Sequence, residues 1–166
     1  MHDVLVVNAS PLIFLGNAGR VDLLNQIGAT QIIVPQSVFD EVTAASHEDR
    51  ASRAVAEAEW LVRLSPSPPP STVVEWDLGA GESDVISACI QIGGASPVID
   101  DLAGRKCALA LGLRPIGTLG IVIRAYRCGT ISDPRQLLLD LRSAGMWLSD
   151  AVLEHALRLA GVGLRS

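Results

Sequence analysis

Short apolar segments alternate with longer helical patterns along almost the whole chain, and this alternation constrains the fold more than any other feature. An uninterrupted apolar run such as Val4–Val7 is typical of a strand buried on both faces. Strands separated by helices pair in parallel, with the helices packed on the sheet. The sequence therefore predicts an α/β fold with a mostly parallel central sheet. The predicted strands span 4–7, 31–34, 60–64, 96–99 and 113–116.

Helical spacing fills the segments between these strands. Ser10 is the predicted cap of the first helix, with Pro11 in its first turn. The proline-rich segment 65–71 can form neither a helix nor a central strand, so we expect a surface loop within a single domain of 166 residues. Two short helical pieces, broken near Gly19, follow the first strand. The further predicted helices span 36–45, an Ala-rich stretch to about 59, 82–92, 102–111 and 118–127, and C-terminal helices lie within 133–160.

Composition excludes several classes of protein. Hydrophobic residues make up 49% of the chain and charged residues 19%, which excludes disorder. No apolar run reaches the ~20 residues of a membrane span, and no basic stretch indicates a signal peptide. The three cysteines form no CxxC pair, so we expect buried thiols in a reducing cytoplasm. A net charge of −5 argues against a broad phosphate-binding surface.

Polar side chains follow two of the predicted strands. Asn8 comes directly after the first strand, and Asp100 and Asp101 follow strand 96–99. Ligands of open parallel sheets bind beyond the carboxyl ends of the strands. A single acid at such a place is more often a helix cap. Of two adjacent acids, however, one can cap the next helix while the other faces the crevice.

Three helical acids are further candidates. Glu41 flanks an apolar stripe that contains Val38, although a hydrated boundary residue explains Glu41 as well. Glu82 lies on the apolar stripe of its helix, whereas Asp84 is turned about 140° from the centre of that stripe. The helix dipole favours acids in a first turn on any face. The spacing therefore favours Glu82 as a ligand and leaves Asp84 open.

The sequence lacks the residue patterns that zinc, dinucleotide and base-stacking sites require. The three histidines share no ligand spacing, which makes a zinc site improbable, and Asp84 stands where a dinucleotide loop needs glycine. The three tryptophans are widely separated, which favours core or interface positions over a base-stacking platform. What remains is an oxygen-only cluster that suits Mg²⁺ or Mn²⁺ and phosphodiester hydrolysis. It comprises Asn8, Glu41, Glu82 or Asp84, and Asp100 or Asp101.

These residues, in this order, resemble the PIN-domain family, and within it the VapC-like branch. The resemblance runs from about residue 4 to residue 160. Its motifs are the turn Asn8–Ile13, the acidic segment Val34–Val42, the Gly-Glu helix start Leu78–Ile86, the acidic turn Val98–Arg105 and the segment Gly112–Gly120.

The resemblance implies a fold, an activity and partners. It implies a metal-dependent endoribonuclease that leaves a 5′-phosphate and a 3′-hydroxyl, the toxin of a toxin–antitoxin pair. The expected partners are RNA, a small antitoxin protein and a second copy of the chain. Mg²⁺ or Mn²⁺ would be held by Asn8 and the acids Glu41, Glu82, Asp84, Asp100 and Asp101. Ser10 would orient the group at position 8, and Arg105 and Thr118 would bind or orient the substrate.

Asn8 is a departure, because active relatives usually carry Asp at this position. An amide oxygen can bind Mg²⁺ but adds no negative charge, so the affinity for the ion should fall. The alternative hypothesis is therefore a catalytically silent PIN-like module that binds a protein. A receiver-like phosphoacceptor on Asp100 or Asp101 ranks last, since Lys106 is the chain's only lysine.

Overall fold

A single all-parallel sheet forms the centre of the molecule. The computed structural model describes residues 3–44, 49–65 and 67–162. The strand order is β3-β2-β1-β4, and every pair is parallel, which confirms the predicted α/β class. The four strands are β1 (Asp3–Val7), β2 (Ala29–Pro35), β3 (Leu61–Leu64) and β4 (Ser96–Val98).

Helices connect and cover the strands. In the described residues they are α1 (Ala9–Asn17), α2 (Leu23–Gln26), α3 (Gln36–Thr43), α4 (Arg50–Ala56), α5 (Ser71–Val74), α6 (Ala80–Ile92), α7 (Leu102–Ala110), α8 (Thr118–Arg127), α9 (Pro134–Ser143) and α10 (Asp150–Ala160). Helix α6 packs on β1, β2 and β4, while α8, α9 and α10 pack on one another. None of these helices has the length and apolar character needed to cross a bilayer.

The core is built on the strands, as their apolar runs predict. Leu5, Val6 and Val7 are fully buried on β1, which lies between two other strands. Two cysteines behave as expected, since Cys89 and Cys107 are buried and burial raises the pKa of the Cys89 thiol to about 12. The expectation was wrong for Cys128, which is exposed.

Four local predictions differ from the structure. The predicted strand 113–116 is a single bridge between Val98 and Ile116, because Pro115 has no N–H with which to extend a ladder. Ser71 begins helix α5 and does not end the proline-rich loop. Ser10 lies inside α1, whose N-cap residue is Asn8. Helix α6 begins at Ala80, two residues before its predicted start. The predicted end of α3 at residue 45 and loop residue 66 lie outside the described part of the chain.

Candidate active site

The sheet topology places the candidate site. Strand β1 pairs with β2 on one side and with β4 on the other, so the strand order reverses at β1 and opens a crevice between the carboxyl ends of β1 and β4. Asn8 follows β1, and its backbone N–H donates to the carbonyl of Val98 on β4 at 3.0 Å. Asp100 follows β4. Asn8 and Asp100 therefore flank the position at which parallel sheets of this kind bind ligands.

Two oxygens from different segments converge beside Gly81. A methyl group at Gly81 would lie 3.2 Å from Asn8 Oδ1 and 3.4 Å from Glu41 Oε2. Asn8 comes from the end of β1 and Glu41 from α3, so segments far apart in sequence supply the pair. Both residues line a cavity of about 300 Å³ together with Ser10, Glu82 and the backbone of 79–81. This cavity is named the acidic cavity below.

The Asn8 amide reaches the acidic cavity and has no hydrogen-bond partner among the described residues. Only 6% of the residue is exposed, and no residue in the described part of the chain hydrogen-bonds its side chain. A buried amide without hydrogen bonds costs free energy unless water or a ligand satisfies it. Since Asn8 lines the acidic cavity, its amide oxygen is available to a ligand there.

Gly81 lines the acidic cavity but is not among the site residues predicted from the sequence. Its φ is not in the left-handed region, so the backbone does not require glycine there. The reason is space, because a side chain at Gly81 would fill the gap in front of Asn8 and Glu41. The sequence signal is the Gly-Ala-Gly segment at 79–81, which by itself predicts only a helix start.

Glu82 lines the acidic cavity, as its stripe position suggested. Its Oε2 accepts a hydrogen bond of 3.0 Å from the Gly79 backbone N–H, which fixes the side chain at the start of α6. Its stem passes Gly104, where an added methyl would lie 3.6 Å from Glu82 Cγ. One carboxylate oxygen of Glu82 is thus used in helix capping, and the other has no hydrogen bond from the described residues.

Asp100 is held by the first residue of α8. The Thr118 N–H donates to Asp100 Oδ1 at 2.7 Å, and the Thr118 hydroxyl donates to Oδ2 at 2.6 Å. Thr118 is fully buried, whereas Asp100 is half-buried and lines a groove. Thr118 is predicted from the resemblance to bind or orient the substrate, and that role stays a prediction; in the structure its hydrogen bonds go to the Asp100 carboxylate. Each carboxylate oxygen keeps a second lone pair for another partner.

Two predicted ligands are engaged elsewhere. Asp101 caps α7, where its Oδ1 accepts from the N–H groups of Ala103 and Gly104. Asp84 accepts a hydrogen bond from the Ser37 hydroxyl and does not line the acidic cavity. This arrangement matches the expectation that one of two adjacent acids caps a helix, and it favours Glu82 over Asp84 as a ligand.

Ser10 joins two cavities. It lines the acidic cavity and also a groove of about 730 Å³ whose lining includes Asp100, Asp101 and Arg105. Ser10 makes no hydrogen bond to Asn8, so the predicted orienting contact is not present between these residues. In the groove, Arg105 Nη1 donates to the Ile99 carbonyl at 3.2 Å.

The donor set fits a hard divalent ion that keeps part of its water shell. In the described residues, no three Asp, Glu, His or Cys side chains lie close enough to hold a metal ion by themselves. Mg²⁺, however, is commonly held by one or two carboxylates and several waters. Asn8 Oδ1 and Glu41 Oε2 face one open space that Gly81 keeps free, with Glu82 on the same cavity. Oxygen donors alone suit Mg²⁺ or Mn²⁺ and not zinc or copper.

Comparison with known families assigns the chain to one of them. A family model described as a PIN domain matches residues 4–162. The chain belongs to the PIN-domain family. PIN domains are generally nucleases, so membership supports a nuclease-type, hydrolytic function for this PIN domain. No curated protein sequence matches the chain.

The space at Gly81 gives a first prediction for this PIN domain. Gly81→Ala should weaken Mn²⁺ binding roughly tenfold, because the methyl would press on the Asn8 and Glu41 oxygens. The same methyl would also crowd the buried Val38 Cγ2 at 3.2 Å, which offsets the higher helix propensity of alanine, so the metal-free protein should change little in stability. Thermal unfolding with and without Mn²⁺ measures both effects. An unchanged Mn²⁺ response would place the ion away from Gly81.

Proposed function

We propose that the chain is a metal-dependent endoribonuclease. The observation that carries the proposal is the convergence of Asn8 Oδ1 and Glu41 Oε2 on the space in front of Gly81, beside the switch point of the sheet. An amide oxygen without a protein partner that lines the same cavity as a carboxylate is suited to a site that a cation completes. The PIN-domain match adds independent support for nuclease-type chemistry.

The residues divide into holding and orienting roles. Asn8 and Glu41 would hold Mg²⁺ or Mn²⁺, and Glu82 would take part from the same cavity, directly or through water. When bound, the ion would neutralise phosphate charge and lower the pKa of water. Thr118 hydrogen-bonds both oxygens of Asp100. That carboxylate would face the substrate from the groove next to the acidic cavity. Arg105 would contact a substrate phosphate.

The resemblance to the VapC-like branch extends the proposal to a biological role. We infer a cytoplasmic toxin of a toxin–antitoxin pair, with RNA as substrate, a small antitoxin protein as partner and a homodimer as the working form. The motif turn Asn8–Ile13 and the acidic turn at Val98–Arg105 support this assignment.

One observation favours a second candidate, a catalytically silent PIN-like module that binds a protein. Position 8 carries an amide, and the described acids do not form a three-carboxylate group. Less negative charge means weaker attraction for a divalent ion. The silent module predicts no metal response, whereas the nuclease predicts one, so the same experiment separates them.

That experiment combines cleavage with metal-dependent stability. Purified protein is incubated with a defined single-stranded RNA in Mn²⁺, in Mg²⁺ or in chelator, and the product ends are analysed. We expect internal cleavage with 5′-phosphate ends only when metal is present, together with a Mn²⁺-dependent rise in melting temperature. Cleavage that persists in chelator would contradict the proposal. Absence of both cleavage and thermal response would favour the silent module.

A further inference from the structure

The groove beside the acidic cavity combines a charged part with an apolar part. Asp100, Asp101 and Arg105 line the charged part, and Ser10 connects it with the acidic cavity. The apolar part is lined by Phe14, Ile123, Met146, Trp147 and Leu159, from α1, α8, the segment before α10 and α10 itself. A volume of about 730 Å³ is large enough for a nucleotide-sized ligand.

Trp147 is the most exposed large hydrophobic side chain in the described part of the chain. It is 86% exposed, whereas Leu159, which lines the same groove, is 48% exposed. An indole in this position contributes almost nothing to the core. It offers a rigid aromatic face on which a flat ring can stack, and such stacking stabilises bound single-stranded nucleic acids.

Arg105 supplies the complementary charge. Its Nη1 is fixed by the Ile99 carbonyl, and within the described residues no carboxylate lies within ion-pair distance of its guanidinium. Gly117 keeps the space beside Arg105 open, since a methyl there would lie 3.0 Å from Arg105 Nη1 and 3.1 Å from Asp100 Oδ1. A fixed guanidinium with free donors is well suited to a phosphate group.

The geometry points to this groove as the binding site for one unpaired RNA nucleotide next to the cleaved bond. Its phosphate would lie at Arg105, and its base would stack on Trp147. The inference rests on the proposed nuclease function. A net charge of −5 prevents general attraction of phosphates, so stacking on Trp147 has to supply much of the affinity. An apolar protein segment could cover Trp147 but would leave the Arg105 guanidinium without an anion.

Binding of a fluorescent single-stranded RNA pentamer, measured in chelator so that nothing is cleaved, tests this subsite. Trp147→Ala should weaken binding about tenfold at every salt concentration, and Trp147→Phe should restore most of the affinity. Trp76→Ala is the matched control, because Trp76 does not line the groove. Arg105→Gln should reduce the slope of log affinity against log salt by about 0.7, the contribution of one phosphate on a single strand.

Two results would overturn the inference. One is equal RNA affinity for wild type and Trp147→Ala, with both folded by circular dichroism. The other is that Trp147→Ala changes self-association in light scattering but not RNA affinity, which would make the groove a protein interface. The assay is independent of hydrolysis. Failure of metal-dependent cleavage would therefore refute the proposed function and leave the binding result interpretable.

Discussion

Replacing Glu41 by glutamine should abolish the response of the protein to Mn²⁺ and lower RNA cleavage by at least about a hundredfold. Glutamine keeps the size of the side chain but removes the carboxylate that meets Asn8 Oδ1 at the space beside Gly81, so that among the described residues lining the acidic cavity Glu82 alone keeps a carboxylate. Two amide oxygens would then face this space without negative charge, and they hold a hard cation poorly. In the wild type, Mn²⁺ at a hundred times its Kd should stabilise the fold by about 2.7 kcal/mol.

The chain offers a matched control one residue away. Asp40→Asn removes the same charge from the same helix. Both residues are exposed, but Asp40 does not line the acidic cavity and accepts a hydrogen bond from Gln36 at 2.7 Å. Asp40→Asn should change the cleavage rate by no more than about twofold and the free energy of unfolding by no more than about 0.5 kcal/mol. Without metal, Glu41→Gln should also unfold like the wild type, since no described residue hydrogen-bonds Glu41. Equal losses in the two variants would indicate a general charge effect and contradict a specific role for Glu41.

The α/β fold could be predicted from the sequence because its strands are short and apolar. The run Val4–Val7 can be buried on both faces only inside a parallel sheet, and helical spacing between strands requires crossover connections. The prediction failed at Ile116, where the apolar residues are strand-like but Pro115 prevents a ladder. It also failed at Ser71, because the prolines before this residue indicate a loop and give no signal for the short helix that begins there.

The candidate site could be predicted only at the level of segments. Asn8 and Asp100 follow their strands in sequence, so the edge at which they meet follows from the parallel order. The choice between neighbouring acids required coordinates. Asp101 caps α7, and Asp84 accepts from Ser37 on α3, a partner 47 residues away that no local spacing reveals.

Residues without charge were harder to find. Gly81 is notable because its missing side chain leaves space beside Asn8, which follows β1, and Glu41, which belongs to α3. Thr118 is named from the sequence as a substrate-orienting residue, but its two hydrogen bonds to Asp100, 18 residues earlier in the chain, are not predicted. Trp147 was grouped with the other tryptophans as a core or interface residue, and only its 86% exposure separates it from them. Such properties depend on tertiary contacts, which composition and periodicity do not contain.

Asn8→Asp should change stability in opposite directions with and without metal. In the metal-free protein a new carboxylate, at a position only 6% exposed, would face Glu41 across the space at Gly81. Burial and like-charge repulsion should together cost about 2 kcal/mol. With Mn²⁺ present, the same charge would attract the ion, so the affinity for Mn²⁺ should rise at least about tenfold and cleavage should rise with it.

The sign reversal distinguishes a metal site from an ordinary buried polar position. If Asn8 only packed at the start of α1, the new charge would destabilise the protein by the same amount in Mn²⁺ and in chelator. Titration of the melting temperature with Mn²⁺, for the wild type and for Asn8→Asp, therefore tests the site without any assumption about the substrate. A parallel RNA assay tests the silent module, which predicts no cleavage even after the carboxylate is introduced. Activity gained by that single substitution would mean that the remaining oxygens, Glu41 among them, already stand where metal-dependent hydrolysis needs them.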